Sequence, residues 1–313
     1  MPRKLKLDGL QADLASLDAL LKSAREMDDP VGEFKIEKRM RLIEAELKAL
    51  ASNQDKKASV ALFFGGKPVL GSRGISADFA GHMLEYFQDL VSRVFASTEL
   101  GVLGERGPIP KRSATNLMVT QLTRGSFGFV LDELSDQAEL EDTVLKAMVE
   151  KVVTIVEKVA SSNEIDFEDV AEQLDSRMLI SLKDFFVTLD AAEATVRLVD
   201  DVADISLDQP AVHRARLRAE ATSIDEADRV IEGTLVGFLP EHRKFEIQVS
   251  QTLTLYGSVS KEAADHYAQL VARGENPERQ KWRVRIRQRT VTPLNRPPRE
   301  VNRLLEFVGR ANS

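Results

Sequence analysis

The chain of 313 residues is 30% charged and 43% hydrophobic and carries a formal net charge of −7. This composition indicates a folded, soluble globular protein and excludes a disordered one, and the length suffices for two domains with an additional helical element. The sequence contains no cysteine, which excludes disulfides, thiolate metal sites and cysteine nucleophiles and favours a reducing cytoplasm. We find no signal segment and no run of the roughly 18 apolar residues that a membrane span needs. We therefore expect a cytoplasmic protein that does not contact a membrane.

The charge is distributed unevenly along the chain. From Arg229 to the end, 15 Lys and Arg residues stand against 9 Asp and Glu residues, whereas the preceding 228 residues have a balance of −13. Such an asymmetry predicts that the C-terminal part has a different partner from the rest.

The first segment, residues 1–52, is predicted to form a helical hairpin of the coiled-coil type. Pro30 and Gly32 break a continuous helix. Both helices carry an apolar seam with alternating spacings of three and four, formed by Leu10, Leu14, Leu17, Leu21, Ile36, Met40, Ile43, Leu47 and Leu50. Because two short helices with narrow seams are marginal alone, we expect the hairpin to pack on the rest of the chain or on another copy.

Residues 58–222 are predicted to form an α+β domain. A strand through Phe64 leads to a Gly65-Gly66 turn, a short second strand and a helix capped by Ser76, with a buried face of Phe79, Met83, Phe87, Leu90 and Val94. A β-hairpin is expected around Arg124-Gly125. Beyond it the pattern predicts two helices, a strand and a helix opened by Pro210, at 140–159, 177–189, 194–199 and from 210 onward.

Residues 229–313 are predicted to form a small β-barrel of the OB or SH3-like class. The stretches "VIEGTLVGFLP", "KFEIQVS" and "TLTLYGSVS" indicate three strands, followed by a helix closed by Gly274 and by the strands "WRVRIRQRT" and "EVNRLLEFV". This order is found in OB-folds and similar small barrels. The predicted fold class is therefore α+β, with an N-terminal helical hairpin, a central α+β domain and a C-terminal barrel.

The clearest candidate binding residues are four arginines that alternate along one predicted strand: Arg283, Arg285, Arg287 and Arg289. Strand periodicity places them on one face, with Trp282 on the opposite, apolar face as a core residue. Four cations in a row repel one another, so an anion must offset them. The row is either a track for nucleic-acid phosphates, a surface for an acidic protein, or a solvated face paired with glutamates of an adjacent strand, for which Glu246 is a candidate.

Other candidate sites are weaker. Ser72 and Arg73 precede a helix N-terminus and can hold an anion, whereas Lys67 is followed by Pro68, which favours a tight turn over a Walker-type phosphate loop. The four histidines have no metal-ligand spacing, and the acidic runs "DELSDQAELED" and "DDVADISLDQ" are expected in solvated helix ends and loops. The sequence predicts no catalytic residues, no metal and no cofactor.

Three stretches carry a resemblance to a known family: "DPVGEFKIEKRMRLIEAELKAL", "FGGKPVLGSRGISADFAGHMLEYFQDLV" and "TRGSFGFVLDEL". They resemble an uncharacterised family of bacterial proteins with a Gly-Ser-Phe hairpin after a strand–helix unit. Members of that family are associated with conflict or anti-phage gene clusters. The resemblance covers the first half of the chain and implies a bacterial antiviral-defence setting, without catalytic residues.

Three functions are compatible with these features. The first is a non-catalytic binding and assembly subunit, oligomeric through its coiled coil, whose basic barrel contacts nucleic acid. The second is a scaffold that binds only protein, as a homo-oligomer or with another chain. The third is an enzyme with an unrecognised site in the central domain.

Overall fold

In the computed structural model, the described residues are 1–52, 55–99, 109, 112–123, 127–134, 141–292 and 297–311. The fold is mixed α+β. Its helices are α1 (Arg3–Glu26), α2 (Pro30–Ser52), α3 (Ala77–Glu99), α4 (Val144–Ala160), α5 (Glu164–Ala171), α6 (Ser176–Ala191), α7 (Gln209–Ala221) and α8 (Lys261–Ala272). Its strands are β1 (Ser59–Gly66), β2 (Met118–Thr123), β3 (Phe127–Asp132), β4 (Ala194–Val199), β5 (Asp204–Leu207), β6 (Ser223–Leu239), β7 (Lys244–Gln248), β8 (Thr254–Val259), β9 (Lys281–Thr292) and β10 (Arg299–Arg310).

The chain divides into two compact units. Unit 1 comprises Met1–Gly81, Asn116–Glu157 and Ala191–Gln209, and unit 2 comprises His82–Thr115, Lys158–Asp190 and Pro210–Ser313. The division into domains at 1–52, 58–222 and 229–313 stays a prediction. Among the described helices, none has the length and apolar character needed to cross a bilayer.

The predicted N-terminal helical pair is confirmed. Every seam position of α1 and α2 is buried or half-buried, with Leu21 and Ile43 the most protected. The break lies at Asp28, which has a positive φ of 52°, and α2 begins at Pro30, where the missing N–H of proline is tolerated. The expectation that Gly32 also breaks the helix is wrong, because Gly32 lies inside α2.

Unit 1 is built on a five-stranded antiparallel sheet in the order β2-β3-β1-β4-β5. The hairpin strands β2 and β3 lie where the sequence predicts them, while the hairpin tip at Arg124 and Gly125 lies outside the described residues. The strand β1 passes through Phe64 as predicted but continues to Gly66, so the expectation of a turn at Gly65-Gly66 is wrong. The turn follows at residues 67–68, and in place of the predicted short second strand there is the single Val69–Ile75 bridge. The N-terminus of α3 is capped as expected, since Phe79 donates its backbone N–H to Ser76 Oγ at 3.5 Å. The predicted buried face of α3 is also confirmed, because all five of its residues are buried.

One strand of this sheet does not follow from the sequence pattern. The run "DDVADISLDQ" is not only loop, because residues 204–207 form β5, which pairs with β4. Ile205 and Leu207 are buried, and Arg197 of β4 binds Asp204 through two hydrogen bonds of 2.8 and 2.6 Å. The arginine thus neutralises a carboxylate in a stretch whose acidic character predicts a solvated loop.

Unit 2 contains a closed five-stranded barrel in the order β10-β8-β7-β6-β9, with β9 and β10 paired to each other. The strand predicted to start at Val230 begins earlier, at Ser223, and pairs with β9 without interruption from Ser223–Thr292 to Thr234–Lys281. Trp282 is buried in the barrel core, as predicted, and its indole N–H donates to the Pro277 carbonyl at 2.9 Å. The helix α8 ends at Ala272, and Gly274, which closes it, has a φ of 77°.

The barrel contains one close backbone approach that tests its closure. Gly257 of β8 pairs with Asn302 of β10, and a Cβ at Gly257 would lie 1.9 Å from the Asn302 carbonyl oxygen. We expect Gly257→Ala to lower the free energy of unfolding by roughly 1–3 kcal/mol, because the strands must separate to admit the methyl group. Gly309→Ala, where no atom of the described residues lies within 4 Å of an added Cβ, is the control and should change the free energy of unfolding by less than about 0.5 kcal/mol. If urea denaturation gives the same free energy of unfolding for the Gly257 and Gly309 variants, the closed barrel is contradicted.

Candidate anion-binding site

The arginine row of β9 does not have a uniform environment. Arg283 and Arg285 are exposed, Arg287 is half-buried and Arg289 is buried at 9% exposure. The alternating residues Trp282, Val284 and Ile286 lie in the barrel core, so the arginines leave the strand on the other side. Burial increases along the row toward Arg289, and only its first half is open to solvent.

Two of the arginines are paired with carboxylates of neighbouring strands. Arg287 binds Asp228 of β6 through two hydrogen bonds of 2.5 and 3.0 Å and lies 3.4 Å from Glu226, and Arg285 lies 3.1 Å from Glu306 of β10. The expectation that Glu246 is the partner is wrong. Glu246 lies on β7, which pairs with β6 and β8 and not with β9.

The Arg287–Asp228 pair is electrostatically matched. Its hydrogen bonds with Arg287 hold the pKa of Asp228 below its ordinary value, outweighing the opposing effect of burial. Burial also disfavours the charged form of Arg287, but the bonds and charges of Asp228 and Glu226 more than compensate and raise its pKa. Arg287 is therefore a structural cation that its own fold neutralises.

Arg289 and Arg303 are not matched in this way. Within the described part of the chain, neither forms an ion pair with a carboxylate: Arg289 donates to the Leu174 carbonyl, and Nη1 of Arg303 donates to the Ser97 carbonyl at 3.1 Å. Nε of Arg303 is buried and has no hydrogen-bond partner among these residues. Burial lowers the pKa of both side chains, and the charge of Arg289 lowers that of Arg303 further.

The strand register explains this imbalance. Arg287 stands opposite Asp228 on one side and opposite Arg303 on the other. Like charges directly opposite each other in a sheet are destabilising, and the single Asp228 carboxylate is already bound to Arg287. The register therefore leaves Arg303 beside a cation, without a carboxylate of its own.

These side chains line a cleft of about 370 Å³, which we call the arginine cleft. It lies entirely within unit 2 and is formed by Ser97, Asp175, Ser176, Arg177, Glu226, Arg287, Arg289 and Arg303. The lining has four arginines and two carboxylates. Both carboxylates already serve the start of α6, since Asp175 accepts the Met178 N–H at 2.8 Å and Glu226 accepts the Ser176 N–H at 3.3 Å. The cleft thus has an excess of positive charge.

The structure places the other predicted pair, Ser72 and Arg73, in an exposed turn of unit 1. The turn is closed by the Val69–Ile75 bridge and by a hydrogen bond from the Leu70 N–H to the Gly74 carbonyl at 2.8 Å. The Arg73 N–H is already bound to the Leu70 carbonyl. The assignment of an anion site to Ser72 and Arg73 stays a prediction.

A second group of ionisable side chains lies in unit 1, where Ser59, Lys146, Val149, Glu150, Asp200 and Asp201 line a smaller pocket of about 150 Å³. The charged side chains of Lys146, Asp200 and Asp201 are bound to other groups of unit 1. Lys146 lies 3.3 Å from Asp201 and donates to the Asp55 carbonyl at 2.6 Å, while Asp200 accepts the Val202 N–H at 2.7 Å. Burial and the nearby Asp200 raise the pKa of Glu150. Within the described ranges, no group of three or more histidine, aspartate or glutamate side chains is placed to hold a metal ion.

Comparison of the chain with protein-family models, curated proteins and solved structures gives no match.

The unmatched charge of Arg303 has a measurable consequence for stability. Replacing a buried, uncompensated cation with an apolar side chain of similar length is neutral or stabilising. We therefore expect Arg303→Met to leave the free energy of unfolding unchanged or to raise it by about 1 kcal/mol.

The matched control is Arg287→Met on the neighbouring strand. This substitution leaves the carboxylates of Asp228 and Glu226 without their arginine partner. It should therefore lower the free energy of unfolding by about 1.5–3 kcal/mol. Both values come from denaturant titration at neutral pH and low phosphate. If Arg303→Met lowers the free energy of unfolding as much as Arg287→Met does, Arg303 has a partner within the fold.

Proposed function

We propose that the protein is a non-catalytic binding and assembly subunit whose unit 2 binds nucleic acid through phosphate groups. The observation that carries this proposal is that Arg289 and Arg303 line one cleft without a carboxylate partner among the described residues. A phosphate bound there supplies the missing negative charge, and each phosphate neutralised by a cation releases condensed counterions.

The barrel supports the same proposal. We assign it to the OB or SH3-like class, on the basis of its five closed strands and the order of three strands, α8 and two strands. Small barrels of these classes often bind nucleic acids, although the fold alone does not define the ligand.

The exposed half of the arginine row extends the proposed surface. Arg283 is exposed, and Arg285 is half-exposed beside Glu306. An exposed ion pair contributes only about 0–1 kcal/mol, so exchanging Glu306 for a phosphate costs Arg285 little. These two residues are proposed to contact the phosphate backbone outside the cleft. We place this activity in the bacterial cytoplasm and in the antiviral-defence setting that the resemblance implies.

The proposal predicts a salt-dependent, sequence-independent interaction. For Arg283→Gln with Arg285→Gln, single-strand affinity should fall about equally for all sequences, because phosphate contacts carry no base code. The slope of log affinity against log salt should decrease in magnitude by about one for each arginine–phosphate pair that the substitutions remove. Both side chains are exposed, so the fold should be retained. Fluorescence anisotropy at several salt concentrations measures both quantities.

The control for this titration is Arg273→Gln, an equivalent change at an exposed position directly after α8 in unit 2. It should retain the wild-type slope. If the wild-type protein does not bind any strand at low salt, nucleic-acid binding is refuted, and the protein-scaffold function takes its place.

A second candidate function, self-assembly through the helical hairpin, is favoured by a separate observation. Large apolar side chains on α1, α2 and the turn between them are more than half exposed: Leu20 at 56%, Met27 at 70%, Val31 at 62%, Phe34 at 66% and Leu42 at 57%. Contiguous exposed apolar patches mark protein-interaction sites. We propose that these residues form such a patch and that a second copy of the hairpin covers it.

Substitutions on α2 test this self-assembly without disturbing the seam. Phe34→Gln with Leu42→Gln should lower the mass measured by light scattering toward that of the monomer, because both residues lie outside the seam and are exposed. Lys35→Gln, an exposed neighbour on the same helix, should not change the mass. An unaltered mass for the double variant, or a wild-type protein that is already monomeric, would refute self-assembly through this surface.

A further inference from the structure

We propose that the arginine cleft binds a terminal phosphate monoester, and that it discriminates this group from the internal phosphodiesters of a strand. The shared chemistry is a phosphate dianion, which a strand end or a free nucleotide can present. The strand-end form of the inference rests on the proposed function, whereas the monoester site itself rests on the residues of the cleft.

The first argument is the match of charge. Arg287 is already neutralised by Asp228, whereas Arg289 and Arg303 line the cleft without an ion pair to a carboxylate among the described residues and together present two positive charges. A phosphodiester carries a single negative charge, whereas a monoester carries about −1.5 to −2 at neutral pH. The monoester thus matches the charge of these two arginines, and a diester leaves the pair positive.

The second argument is the supply of hydrogen-bond donors. Arg289 and Arg303 line the cleft and each donate Nη1 to a backbone carbonyl, which leaves Nη2 of both planar guanidinium groups as a donor for the phosphate oxygens. Their hydrogen bonds to the Leu174 and Ser97 carbonyls orient these side chains without neutralising them. A monoester has three free oxygens to accept hydrogen bonds from the arginines, whereas a diester has two.

The third argument is the helix N-terminus that reaches the cleft. The start of α6 lies at the same cleft through Ser176 and Arg177, and its N-terminal dipole adds to the positive potential.

The test compares oligonucleotides of one sequence that carry a 5′-phosphate, a 3′-phosphate or hydroxyls at both ends. Fluorescence anisotropy at moderate salt should show that a phosphorylated end binds about tenfold more tightly than the hydroxyl form, since one charged hydrogen-bonded contact corresponds to about that factor. A nucleoside monophosphate should compete for the cleft, and the corresponding nucleoside should not.

Two variants connect the preference to the cleft. In Arg303→Met, the affinities for the phosphorylated and the hydroxyl ends should become about equal. Denaturant titration of the same variant distinguishes this effect from unfolding. Arg310→Gln is the control on the same strand, since Arg310 pairs with Glu275 and does not line the cleft. It should retain the preference of the wild-type protein.

The outcomes separate this inference from the proposed function. Equal wild-type affinities for phosphorylated and hydroxyl ends would overturn the monoester site and leave strand binding intact. Competition by the monophosphate in a protein that binds no strand would support the monoester site and refute nucleic-acid binding. Binding of an acidic peptide that phosphate does not displace would overturn the inference, and so would a preference that Arg303→Met leaves unchanged.

Discussion

The register between β6 and β9 is the constraint on which the arrangement of charges in unit 2 depends. These strands pair without a bulge from Ser223–Thr292 to Thr234–Lys281. A shift by one residue would turn the side chains of β9 to the other side of the strand, moving Trp282 out of the core and the arginines into it. The apolar residues of β9 thus fix the register, and the register then determines which arginine meets which carboxylate.

The same constraint explains why the positive charge of the C-terminal part is only partly available to a partner. The row of arginines suggests a continuous cationic track, but β6 begins seven residues before Val230 and brings Glu226 and Asp228 beside β9. Arg287 is thereby neutralised within the sheet. What remains falls into two groups: exposed arginines near the start of β9 and unmatched arginines in the cleft.

The sequence was informative where local periodicity carries the structure and uninformative where distant segments meet. The seam of α1 and α2, the buried face of α3 and the place of Trp282 follow from spacings within one helix or strand, and the burial of these residues confirms them. By contrast, the cleft joins Ser97, Arg177, Glu226 and Arg303 from four separate segments. The spacing of residues within one helix or strand does not predict contacts between segments that are distant in the sequence. It also counts Arg289 as exposed, because strand alternation does not report that other residues of unit 2 cover that end of β9.

The contrast between Arg287 and Arg303 indicates which arginines maintain the fold and which are able to bind a ligand. Arg287 has its carboxylates at hydrogen-bond distance, and its raised pKa reports a favourable site for the cation. Arg303 has a lowered pKa and a carbonyl in place of a carboxylate. We predict that an apolar side chain at the position of Arg303 does not lower stability, which means that the fold itself does not require a cation there. An anionic ligand supplies a physical reason for that cation: in its presence the two unmatched arginines gain the hydrogen bonds and the countercharge that the strand register denies them.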